Sequence, residues 1–208
     1  MNQIKLNLGC GSQTPDGWVN VDYSWGAIVA KIPFFPSINT KLKLFNLNWN
    51  PDIFIQDLTK KFYWSDREVD VIYTSHTLEH LNKSQGLHFL QECYRVLKKD
   101  GVIRIVVPDL KPIIDKYING YILAEYFVEN LQVLYNTRLE RSIKSKFAFF
   151  VKFPHQCMYD SSSLIRIMSS VGFQCQNKKA FESEIDDINN IELKERTIEA
   201  VIVEGKKM

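Results

Sequence analysis

At 208 residues, 45% hydrophobic and 24% charged, the chain has the size and composition of one globular domain with a full core, and nothing in it suggests disorder. Its 26 Lys and Arg balance 24 Asp and Glu to a net charge of +2, which argues against general nucleic-acid binding and for a small or neutral substrate. Four separated cysteines, Cys10, Cys93, Cys157 and Cys175, argue against a zinc knuckle or a disulfide framework, and so for a reducing cytoplasm.

In chain order, short apolar runs ending in small or polar residues predict buried strands at 4–8, 18–21, 52–56, 70–75, 102–107 and 199–204. Between the fourth and fifth, Leu87, Leu90, Tyr94 and Leu97 recur at helical spacing. Lys98 and Lys99 are expected in the last turn of that helix, with Gly101 just beyond. Strand, helix and strand at this spacing imply a parallel crossover. A second helix is expected from a cap at Asp160 or Ser161, with Leu164, Ile167, Met168 and Val171 on one face and a stop at Gly172. The stretch 173–181 and the last strand form an antiparallel pair, and the acidic residues 182–195 between them read as a solvated loop or short helix.

Two stretches fall outside a minimal α/β scheme: the aromatic-rich 24–50 and the largely helical 117–153. Both are expected as insertions that cover the substrate at the carboxyl edge of the sheet, in a single domain spanning 1–208. No run approaches 18 uninterrupted apolar residues and the first ten lack a targeting core, so a soluble protein is expected. Arg138, Arg141, Lys144, Lys146 and Lys152 interleave with phenylalanines over 138–153. This pattern allows peripheral contact with an anionic membrane, although inward-packed aromatics beneath solvated lysines fit it better.

Gly9 and Gly11 follow the first strand, where a backbone must turn sharply and let a ligand approach without a Cβ in the way. Asp22 ends the second strand, where a carboxylate could accept both hydroxyls of a ribose. Asp57 ends the third and could read an adenine amino group or cap the following turn, and Ser75 and His76 end the fourth. Ten residues separate Gly11 from Asp22 and include the turn Pro15-Asp16-Gly17, so the first crossover has no room for a full helix. Something else must cover that part of the sheet, and 25–50 is the candidate.

These motifs, "LNLGCG" with "GWVNVD", "IQDL" (55–58), "SHTLEHL" (75–81), "ECYRVLKKDGVIRIVVPDL" (92–110) and "HQCMYDSSSLIRIMSSVGF" (155–173), resemble class I S-adenosylmethionine-dependent methyltransferases. They look especially like a small branch of that family often associated with polysaccharide biosynthesis. The resemblance implies a Rossmann-like α/β sheet of seven mostly parallel strands in the order 3-2-1-4-5-7-6, with flanking helices. By position it implies S-adenosyl-L-methionine held by Leu8, Gly9, Cys10, Gly11, Asp22, Tyr23, Asp57, Leu58, Ser75 and His76. A third glycine is missing after Gly11, which counts against a nicotinamide-dependent oxidoreductase.

"HTLEH" at 76–80 is formally an inverted zinc-protease signature, but it follows a strand and no third ligand is evident, so no metal is expected. For a hydroxyl acceptor, His155 is the first choice of base, with His76 and Asp109 in reserve. The expected activity is metal-independent methyl transfer to a small acceptor, with an oxygen of a sugar or glycan precursor favoured. The rival is a non-catalytic partner protein that keeps the fold.

Overall fold

A computed structural model describes residues 3–32, 49–133 and 154–208. Seven strands form one sheet: β1 (Lys5–Leu8), β2 (Val19–Asp22), β3 (Phe54–Ile55), β4 (Val69–Ser75), β5 (Leu97–Pro108), β6 (Phe173–Asn177) and β7 (Ala200–Lys207). Their order is β3-β2-β1-β4-β5-β7-β6, with β7 antiparallel to both of its neighbours and the β1, β2, β3, β4 and β5 pairings parallel, as the sequence resemblance implies.

The first crossover, residues 9–18, has no helix. Asn7 and Asn20 are paired in register on the neighbouring strands β1 and β2. The Asn7 amide donates to Gln13 O and to Asn20 Oδ1, both at 2.9 Å, and the Asn20 amide donates to Pro15 O and Trp18 O at 3.2 Å. Two asparagine side chains thus satisfy carbonyls that a helix would otherwise satisfy internally.

On one face of the sheet, α2 (Lys83–Val96) and α5 (Ser161–Val171) pack over Leu6, Leu8, Ile72, Ile103, Ile105 and Val203. α5 starts and stops as expected: Asp160 Oδ1 accepts from Ser163 N at 2.7 Å, and Gly172 ends the helix. Leu164 and Met168 are fully buried, each contributing roughly 1.5–3 kcal/mol. The expected face of α2 needs correction. Phe89, Leu90, Cys93 and Val96 point inward, while Leu87 is 37% exposed. Lys98 and Lys99 are strand residues too, because β5 begins at Leu97 and Lys98 Nζ is drawn to the Asp70 carboxylate at 2.7 and 2.8 Å. The register between β4 and β5 shifts between Val69 and Val71 to admit this extension.

The other face is covered by the connection from β6 to β7. Its Ile185, Ile188 and Ile191 bury against Trp18, Tyr73, Val106 and Ile202, with one-turn helices α6 (Ile188–Ile191) and α7 (Lys194–Thr197) along it. The acidic stretch thus forms the short-helix alternative expected for it, but with buried isoleucines rather than as a solvated segment, while residues 33–48 of the 25–50 candidate lie outside the described residues. Of 25–50, the described part contributes α1 (Trp25–Ala30), whose Ala27 packs with Cys10, Ile53 and Trp49.

A charge deep in the core anchors that connection. Arg104, in the middle of β5 and 0% exposed, donates to Glu192 from Nε and Nη2 and to Glu204 from Nη1, all at 2.8 Å. It also reaches Lys179 O and Glu182 O at 2.9 Å. At the surface end, Lys5 and the Trp18 indole both bond Asp187. None of the described helices is long and apolar enough to cross a membrane.

Candidate active site

The carboxyl ends of β1, β2 and β3 form a tightly bonded corner. Gly9 (φ +72°) and Gly11 (φ +56°) sit in the left-handed region that non-glycine residues resist. A Cβ on Gly9 would lie 2.1 Å from Thr77 Oγ1, whereas one on Gly11 would meet nothing within 4 Å. The Gly9 and Cys10 amides donate to Val21 O at 2.9 and 3.0 Å, closing the turn. Asp22 is 8% exposed, and its carboxylate accepts from Gly11 N at 2.8 Å and Ser24 N at 2.7 Å. Burial, and then the Asp22 charge, push the Cys10 thiol up to about 12, so it stays neutral.

The other cofactor residues named from the sequence fall in varied places. Leu8 and Leu58 are buried in the main core, which leaves them only backbone groups to offer a ligand. Tyr23 is 54% exposed beside Asp22. Asp57 follows β3 two residues past Ile55, the partner of Asp22, and its Oδ1 accepts from Thr59 N at 2.9 Å and Thr59 Oγ1 at 2.7 Å, the turn-capping alternative expected for it.

The ends of β4 and β5 are built differently. The buried Ser75 hydroxyl faces the Tyr73 phenol but completes no hydrogen bond. A cleft of about 10 Å³, lined by Gly9, Ser75, Ile191 and Arg196 among others, separates this corner from the β6–β7 connection. His76 follows at φ +53°, a strained setting for a residue with a Cβ. Its amide donates to Val106 O and its Nε2–H to Arg196 O, both at 2.9 Å. Burial holds its pKa below the usual imidazole range.

Beyond it, Leu78–His80 make a single 3₁₀ turn. Glu79 is 1% exposed, and among the described residues its carboxylate has no hydrogen-bond partner, with His76 Nδ1 standing 3.4 Å away. Burial pushes Glu79 up to about 8.

His155 arrives at this point from far along the chain. The backbone carbonyl of Glu79 accepts from Gln156 N at 2.8 Å and Cys157 N at 3.1 Å, and His80 O accepts from the Gln156 side chain at 2.7 Å. The His155 ring lies 5.1 Å from that of His80. Its Nδ1–H donates to Leu131 O at 3.0 Å, which fixes the tautomer with an Nε2 lone pair. Burial, then His80, lowers its pKa.

Asp109 lines the same space but serves as the cap of α3 (Leu110–Ile118), accepting from Lys111 N at 3.0 Å. His76, Glu79, His80, Asp109, Lys116 and His155 share one cavity of about 500 Å³, closed on one side by Asn130 and Gln132 at the end of α4 (Ala124–Asn130). The basic and aromatic residues 138–153 lie outside the described residues.

Sequence reasoning missed several residues here. Thr77 sits over Gly9, Arg196 contacts both Ser75 and His76, and Glu79 lines the cavity from its buried position. For Thr77 and Arg196 no local signal exists, since their roles come from contacts across the chain.

A parallel sheet with a reversed seventh strand and a glycine turn facing an acidic strand end defines the class of Rossmann-like methyltransferases. Residues 6–105 match the family model described as Methyltransferase domain. Similar solved structures include an S-adenosylmethionine-dependent methyltransferase from Methanosarcina mazei: 13% identity, TM-score 0.55, covering 100% of this chain and 94% of that one. The YcgJ protein of Bacillus subtilis has 14% identity and a TM-score of 0.52, covering 99% and 92%. An S-adenosylmethionine-dependent methyltransferase from Archaeoglobus fulgidus has 16% identity and a TM-score of 0.51, covering 99% and 86%. At such identities the likeness establishes the fold. No curated protein matches the chain. Residues 6–105 are thus similar to a methyltransferase domain, and the cofactor such a domain implies is S-adenosylmethionine.

Proposed function

We propose that the protein transfers a methyl group to an oxygen of a small polyhydroxylated acceptor, a sugar or glycan precursor, held in the cavity between His76, His155 and Asp109. The observation that carries this reading is the cavity itself. At about 500 Å³ it has room for one or two sugar rings, and its rim of His, Asp, Lys, Asn, Gln and Glu side chains suits hydroxyl groups. The end of α4 on its rim agrees with a role for the 117–153 insertion as part of a substrate cover.

The β1/β2 corner suits the cofactor. Gly11 leaves open space where a side chain would stand, and Asp22 is held rigid with oxygens able to accept further hydrogen bonds from a ribose. Gly9, Cys10, Asp57 and Ser75 would border the same ligand. When bound, S-adenosylmethionine supplies an already activated methyl group. The protein's remaining tasks are alignment and removal of the acceptor's proton. His155 Nε2 is the proton acceptor in this reading, since Leu131 O holds the ring in the required tautomer and burial keeps the imidazole neutral. His76 is the reserve, and Asp109 ranks third because its cap to Lys111 occupies one oxygen.

The test is label transfer from methyl-labelled S-adenosylmethionine to a panel of free sugars, nucleotide sugars and oligosaccharides, with wild type and His155→Ala. Label in an alkali-stable ether, falling about 100-fold or more in the variant, is expected. Label found only on amines would overturn the oxygen assignment, and unchanged turnover in His155→Ala would overturn the base.

A further inference from the structure

Glu79 is the feature that methyl transfer leaves unexplained. A carboxyl group that is 1% exposed and has no hydrogen-bond donor among the described residues is a buried polar group whose bonding capacity the fold does not use. Ordinarily such a group is paired with an arginine, as Glu192 and Glu204 are with Arg104. Here its neighbours in the cavity wall are instead imidazoles, His76 at 3.4 Å and the pair His80 and His155. One ligand atom each from Glu79, His80 and His155 lies within 4.8 Å of the other two.

We propose that Glu79, His80 and His155 form a binding site for a divalent transition-metal ion, zinc being the best match to two imidazoles and one carboxylate. Such a donor set combines nitrogen ligands of intermediate softness with a negative oxygen, and leaves at least one coordination position open to the cavity. The ring of His155 is already oriented by its Nδ1–H bond to Leu131 O, and His80 Nδ1 is 3.3 Å from Pro154 O. Carbonyls that fix metal-ligating histidines in this way are a common outer support. In a tetrahedral zinc site the donor atoms stand roughly 3.3 Å apart, so the widest pair would close by about 1.5 Å at most. Small rotations of three side chains around one point supply that movement.

The site differs from the pairing that "HTLEH" suggests by itself. In the inverted zinc-protease signature the two histidines stand one helical turn apart. Here His76 sits at positive φ outside a single 3₁₀ turn and bonds Arg196 O, so it does not join the cluster. The third ligand comes from 75 residues beyond His80.

An ion at this position has a chemical consequence that rests on the proposed function above. It would occupy the His155 lone pair assigned there to the base, so an acceptor hydroxyl held at its open position would be made more acidic by the cation and would pass its proton to His76 Nδ1, the reserve base.

The experiment is calorimetric titration of zinc chloride into the chelator-stripped full chain, with S-adenosylhomocysteine titrated into a parallel sample. One ion per chain at micromolar or tighter Kd is expected. Glu79→Gln, His80→Ala and His155→Ala should each weaken it tenfold or more, while His88→Ala, which changes the histidine outside the cavity, should leave it unchanged. No binding at 1 mM zinc, or undiminished binding in all three variants, overturns the site. Should a variant fail to fold, zinc-edge X-ray absorption of the wild type decides. Nitrogen and oxygen neighbours at about 2.0–2.2 Å support the site, and a sulfur at about 2.3 Å overturns it. If zinc fails while S-adenosylhomocysteine binds, the ion site alone is wrong. If S-adenosylhomocysteine fails, the proposed function is wrong and the zinc result still stands.

Discussion

Asp22 and Glu79 are both buried carboxylates at the carboxyl edge of one sheet, and the fold treats them in opposite ways. Asp22 accepts two backbone N–H groups and thereby stitches the glycine turn to the start of the next loop. Glu79 accepts none from the described residues, and an imidazole nitrogen of His76 stands 3.4 Å away. The β1/β2 corner is therefore built before any ligand arrives, with its polar groups committed and its geometry fixed. The β4/β5 side leaves two polar groups without a hydrogen bond among the described residues, the Glu79 carboxylate and the Ser75 hydroxyl. Preformed binding on one side and unspent chemical capacity on the other is a division suited to holding a cofactor and reacting an acceptor.

The largest expected effect comes from removing what spans both sides. The β6–β7 connection brings Arg196 to Ser75 and His76, and Arg104 anchors that connection. Arg104→Met would leave Glu192 and Glu204 buried without their partner, at a cost of about 3–5 kcal/mol in urea denaturation. A loss under about 1 kcal/mol would mean that the isoleucines alone hold the connection.

Next in size is the contrast between the two carboxylates. Asp22→Ala strands two backbone donors and should cost about 1–3 kcal/mol. Glu79→Gln breaks no hydrogen bond to the described residues and should stay within about 0.5 kcal/mol of wild type. Equal losses in the two variants would erase the distinction.

The smallest effect is at the rim of the connection. Burial raises the Asp187 pKa, but the bonds from Lys5 and Trp18 outweigh it and hold the carboxyl below its ordinary value near 3.8. A folded-state pKa below the unfolded one adds stability that is present above pH 4 and lost as pH falls through the folded value. Asp187→Asn should therefore be less stable than wild type near neutrality and should converge with it as pH falls through the lowered folded-state value. Parallel pH–stability curves would show that the pair contributes nothing.

Much of the fold was legible because its signals are local. Apolar runs marked the strands, and Asp160 and Gly172 bounded α5 by cap chemistry that needs no tertiary context. Where a local signal competed with a distant partner, the partner won. "VLKKDG" reads as the end of a helix, yet Asp70 captures Lys98 in a strand. The acidic stretch was misread because its charges mask Ile185, Ile188 and Ile191, whose threefold spacing marks a buried stripe. Glu192 within it is buried only because Arg104 lies opposite.

The glycine turn and Asp22 were visible as a motif. The asparagine pair behind them was printed in the same letters, "LNL" and "VNV", but its meaning depends on strand register. The histidine cluster was beyond reach of the sequence, since His80 and His155 meet only after residues 154–157 dock on the backbone of Glu79 and His80.

Calorimetric titration of S-adenosylhomocysteine into wild type and Asp22→Ala tests the preformed cofactor corner most directly. The account predicts binding by wild type and a loss of at least tenfold in the variant. No binding by wild type at millimolar ligand, or equal affinity in the two proteins, would contradict it.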